Sequence, residues 1–167
     1  ESTMRRKREE LKNSRRKEMI GFRKIDPEVA MEKNTWFHLG RNSCEEILYC
    51  LRRIADPCEE HVDNNFVPLS KEQVKEYIPL RDTVLFLLRR TGKILQTDSY
   101  GEVDDVRREA EELKDCLEKA REAQMQRMQS SKENITVAYL YLNLLQETRE
   151  LTSSLRHLLR ASKGFRE

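Results

Sequence analysis

Apolar residues recur along this chain at alternating spacings of three and four, the mark of helices that bury one face. The clearest run is Val103, Val106, Ala110, Leu113, Leu117 and Ala120, a heptad seam that drifts into Gln124 and Met128. A second, Val137, Leu140, Leu144, Leu151, Leu155 and Leu158, is broadened by Leu142, Leu145 and Leu159, which makes the last helix the most buried by pattern. Ile47, Leu51, Ile54, Cys58 and then His61 or Val62 mark a long helix from residue 34 or 35 to 65, with a kink expected at Pro57. Val74, Ile78, Leu85, Leu88 and Leu95 mark another, to about residue 97, with a second kink expected at Pro79.

The punctuation agrees. Asp26-Pro27-Glu28 reads as a helix start with Asp26 as N-cap and Pro27 in the first turn, where its missing N–H costs nothing. Ser70-Lys71-Glu72-Gln73 has the form of a capping box. Asp98-Ser99-Tyr100-Gly101 supplies a turn, and residues 130–134 a polar link. Four helices of about 25 to 32 residues with short links stack as antiparallel neighbours about 40 to 48 Å long. The expected fold is all-α: an elongated antiparallel helical bundle over residues 27–167, preceded by a basic helical arm over residues 1–26.

Composition supports one helical domain. The 167 residues include only 5 Gly and 4 Pro, and 37% are charged. A mean hydropathy of −0.83 and apolar runs as short as residues 84–88, against the roughly 20 needed, leave nothing to span a bilayer. The four cysteines, Cys44, Cys50, Cys58 and Cys116, form no CxxC pair and fit free thiols in a reducing compartment. The chain opens with Glu rather than Met, which suggests a fragment or processed product.

Charge is unevenly spread. The net +2 divides into +6 over residues 1–24 and −4 over the rest. Arg5, Arg6, Lys7, Arg8, Arg15, Arg16 and Lys17 give the arm the character of a juxtamembrane segment facing anionic lipid on the cytoplasmic side. Its single aromatic residue, Phe22, and lack of a recognition motif argue against nucleic acid.

Candidate chemistry is sparse. Residues 35, 58 and 154, three before the histidines, are Thr, Cys and Ser, so the Glu-x-x-His pairs of di-iron bundles are missing. Cys58-x-x-His61 offers half of a soft metal site. Asp56 and Asp63 on the second helix, with Glu147 and Glu150 on the last, could bridge a divalent or iron-type cation, although Arg52, Arg53 and Arg149 offer the simpler outcome of ion pairs. No glycine-rich phosphate loop or nucleophile motif is present, and the expectation is a non-catalytic protein without a cofactor.

Three blocks resemble a known family. Residues 32–40 (EKNTWFHLG), 50–66 (CLRRIADPCEEHVDNNF), and 141–148 (YLNLLQET) with 154–161 (SLRHLLRA) are similar to the cytoplasmic C-terminal, PhoU-like region of bacterial sodium/phosphate cotransporter family proteins. The resemblance extends over about residues 15–163. It implies a PhoU-like bundle that regulates or assembles a sodium-dependent phosphate transporter. The partners it implies are that transporter's membrane domain and a second copy of the chain. The implied location is the cytoplasmic face of the inner membrane, with the arm as connector. Metal motifs of the form Glu-Arg-Ile-x-Asp in PhoU-like proteins map their latter part onto residues 53–56, ending at Asp56, while Arg52 stands where the motif has Glu. Glu150 stands for a motif Glu on the last helix, with Ser154 four residues later. A free-standing helical scaffold that binds a protein partner, and a metal-binding bundle, are the rival readings.

Overall fold

The computed structural model describes residues 3, 5–7, 9–14, 26–130 and 133–167. Arg8, Arg15, Arg16 and Lys17 lie outside the described residues. Four long helices make up the body: α1 (Pro27–Asp63), α2 (Lys71–Thr97), α3 (Val103–Ser130) and α4 (Ile135–Arg166), with a 3₁₀ turn, Tyr100–Glu102, before α3. Arm residues 5–7 and 9–14 are helical. No strand occurs among the described residues.

Side chains set the helix ends, at Asp26 and Ser70 as the sequence predicts. Asp26 accepts from the N–H of Glu28 at 3.0 Å. Both halves of the Ser70/Gln73 capping box form, at 3.1 and 2.9 Å. Asn134 caps α4 by accepting from the Val137 N–H. Asp98 ends α2 in the left-handed region, φ 55°, which a short polar side chain tolerates. α1 is one helix from residue 27, longer than the predicted start at 34 or 35, and it runs through Pro57 without ending.

Cross-helix bonds give an up-down-up-down course. Lys33 reaches Phe165 and Arg53 reaches Glu147, so α1 and α4 are antiparallel. Tyr77 bonds Thr148, and Asp98 pairs with Arg166, so α2 runs parallel to α4. Gln73 meets Gln124 and Arg90 meets Glu109, so α3 descends beside α2. α4 is the common partner of the other three, whereas α1 lies along α4 and hardly approaches the backbones of α2 and α3. Fourteen residues of α4 are buried as a result, among them Leu145, Leu151, Leu155 and Leu159. Each such leucine contributes about 1.5–3 kcal/mol by leaving water.

The α3 seam is buried as predicted at Val103, Val106, Ala110, Leu113 and Leu117. α2 differs. Its buried positions are Gln73, Leu80, Val84, Leu87, Thr91 and Ile94, while the predicted stripe residues Val74, Ile78 and Leu85 stand 39–41% exposed. The helix carries two overlapping stripes one residue apart. The one facing α3 and α4 includes Gln and Thr, which find partners or room there, so it reads as less apolar than the one left outside. On α1, His61 is buried and Val62 is 72% exposed, which settles the choice between them.

Candidate functional site

The residues that the sequence offered for chemistry are carried by α1 and α4, which pack along each other. Near the end of α4 the helices close on small residues. A Cβ on Gly40 would meet the Cβ of Ala161 at 3.6 Å, and one on Gly164 would lie 2.5 Å from the Trp36 ring, so the indole occupies the space a side chain would take. Midway, Arg53 forms the principal clamp. Its Nε donates to Glu147 Oε2 at 2.7 Å and its Nη2 to Glu46 Oε1 at 2.8 Å. Asn143 donates to the Arg53 carbonyl at 3.1 Å. These carboxylates hold the guanidinium above its ordinary range. Cys50, fully buried beside this clamp, has its thiol pushed up to about 12, first by burial.

The four carboxylates considered for a metal are not gathered. Glu147 is bonded to Arg53, Asp56 accepts from Arg52 at 2.9 Å, and Glu150 accepts from Gln146 at 2.8 Å. Asp63 is the last residue of α1 and is exposed. No group of three or more His, Cys, Asp or Glu side chains among the described residues could hold a metal ion. The Cys58/His61 pair is separated in role. His61 Nε2 lies 2.7 Å from the Val67 carbonyl, and since a carbonyl only accepts, the ring nitrogen carries the proton. The ring also stacks edge-on against Phe66, so His61 ties the end of α1 to the following loop.

Among the basic arm residues, Arg6 and Lys7 pair with Glu10, and Lys12 with Glu9. Lys7 draws Glu10 below the ordinary carboxylate range. Arg5, Glu9 and Lys12 border a hollow of about 460 Å³ against Glu45, Asp56 and Glu59 of α1, so the arm meets the acidic flank of that helix.

A second polar assembly joins α2, α3 and α4, and no sequence motif singles it out. Arg127 grips Glu76 with two bonds, 2.7 and 2.9 Å, and also donates to Gln124 Oε1. Tyr141, fully buried, donates to Glu76 at 3.0 Å. Gln124 accepts from Gln73 at 3.1 Å and donates to Glu133 at 2.7 Å. Thr148 donates to the Leu144 carbonyl, which makes the Tyr77 hydroxyl the donor in its 2.8 Å bond to Thr148. The one available signal was Gln124, where the α3 seam drifts onto polar residues. Glu76 is held below the ordinary carboxylate range, first by the Arg127 fork, and burial raises Tyr77 and Tyr141. Each group is thereby kept in its resting charge state near neutral pH, an arrangement that sets helix register.

A groove of about 490 Å³ between α1 and α4 is lined by residues that include Ser43, Glu46, Ser154 and His157. Ser43 donates to the Leu39 carbonyl, Glu46 is bonded to Arg53, and His157 makes no hydrogen bond with a described residue. These side chains are not linked as nucleophile, base and orienter. No helix among the described residues is long and apolar enough to cross a membrane. No protein-family model, curated protein or solved structure matches this chain.

Proposed function

We propose that the chain is a non-catalytic, PhoU-like regulatory or assembly domain on the cytoplasmic face of the inner membrane, the soluble part of a sodium-dependent phosphate transporter. The observation that carries the proposal is the placement of the family-like blocks. Residues 32–40 and 50–66 lie on α1 or just beyond its end, and residues 141–148 and 154–161 lie on α4. These two helices pack along each other, with Gly40 against Ala161, and Arg53 bonded to Glu147 and capped by Asn143. Segments about 90 residues apart in the chain thus form one continuous surface, as expected of a shared structural unit. The basic arm then serves as connector to the membrane domain, and the bundle acts through helix-surface contacts with that domain or with a second copy.

Hydropathy of the reading frame upstream of Glu1 tests the reading first. Several spans of about 20 apolar residues there support it; their absence overturns it and leaves a free-standing scaffold. With spans present, sodium-driven phosphate uptake should change when the bundle is removed from the full transporter.

A further inference from the structure

The stripe that α2 leaves outside the core is the feature the bundle does not use. Val74, Ile78, Leu85 and Phe86 are 39–51% exposed, although this helix lies against both α3 and α4. At 100° per residue these four fall on an arc of about 120° that also carries Lys71, Lys75, Arg89 and Lys93. None of these four cations makes an ion pair with a described residue. Asp82 is paired with Arg81, and Glu72 leans toward Arg127. α2 holds six basic and three acidic residues, whereas α1 holds four and eight. The arm's Arg5 and Lys12 face the carboxylates of α1, and its Leu11 and Ser14 border a hollow with Asp98 and Tyr100 just past α2.

We infer that the outer face of α2 is a docking surface for an anionic membrane, lying flat in the interface with its apolar residues at the acyl boundary and its cations among the headgroup phosphates. From Lys71 to Lys93 the helix offers about 33 Å of contact. Such a surface satisfies both chemistries on the face. Nucleic acid would engage the cations and leave Val74, Ile78 and Leu85 in water. The choice of a membrane over an acidic protein rests on reading the chain as part of a membrane protein.

Co-sedimentation of the full chain with vesicles of phosphatidylcholine, alone or mixed with phosphatidylglycerol, tests the inference without the transporter. The expected result is binding to the mixed vesicles only, weakened as salt rises from about 0.1 to 1 M. Combining Lys75→Gln, Arg89→Gln and Lys93→Gln, all on exposed positions, should lower partitioning about 100-fold, roughly fivefold per charge, with an unchanged circular dichroism spectrum. Lys119→Gln on α3 should change it less than about twofold. The pair Ile78→Ser and Leu85→Ser should weaken binding with every cation retained. No binding to the mixed vesicles, binding that the triple substitution leaves intact, or capture by an acidic peptide or RNA without vesicle binding each overturns the inference. These outcomes leave the upstream-hydropathy test of the proposed function untouched, so the two fail separately.

Discussion

Removing Arg127 is the most informative single perturbation of the bundle. Its guanidinium makes two short bonds to Glu76 and two to Gln124 Oε1, with the side chain only 18% exposed and that of Glu76 30% exposed. Arg127→Met keeps the aliphatic stem and leaves Glu76 with the Tyr141 hydroxyl as its remaining bonded partner in this assembly. A fully buried pair broken on one side costs about 3–5 kcal/mol, an exposed pair under about 1. The partial exposure here puts the loss at about 2 kcal/mol, or about 4–8 °C in Tm for a chain of this size. Urea unfolding of wild type, Arg127→Met, Glu76→Gln and the double variant should give a coupling energy of about 1.5 kcal/mol. The sign of the pH dependence follows from Glu76, whose folded pKa is lowered from 4.5 chiefly by Arg127. The stabilisation is present above about pH 4.5 and is lost as pH falls through the lower folded value, so the gap between wild type and Arg127→Met should narrow in acid. Additive effects, with coupling under about 0.5 kcal/mol at neutral pH, would refute the reasoning.

Four further outcomes are expected. Leu87→Ala, at a fully buried position, should cost about 2–5 kcal/mol in urea unfolding, while Leu85→Ala, 41% exposed, should cost under about 1 kcal/mol; equal losses would contradict the orientation of α2. In native protein a thiol reagent should modify exposed Cys116 first and buried Cys50 last. Because burial raises the folded pKa of Cys50 from 9.0 to about 12, its contribution is complete below pH 9 and declines above it, by up to about 1.4 kcal/mol per pH unit, a slope that Cys50→Ala should remove. Ser70→Ala, which breaks the capping box, should cost about 1 kcal/mol, measurable as a Tm shift of a few degrees.

Helix ends were legible in the sequence because caps are local. Asp26 before Pro27 and Ser70 three residues before Gln73 each act on N–H groups within three positions. The α3 seam and the α4 stripe were legible too, since each helix has one dominant apolar face to offer. The arm's charge followed from composition.

What the tertiary structure alone decided is which groups face each other. α2 carries two stripes one residue apart, and the one chosen for the core includes Gln73 because α3 brings Gln124 opposite it, where a bonded amide is no longer costly to bury. Glu147 could have been a metal ligand or half of an ion pair; the antiparallel register of α1 and α4 puts Arg53 within 2.7 Å of it. His61 rather than Val62 turned inward because the Val67 carbonyl waits there for a donor. A sequence specifies what each face of a helix can offer. Burial is then settled by the neighbour's complementary groups, which lie tens of residues away and meet only when the bundle closes.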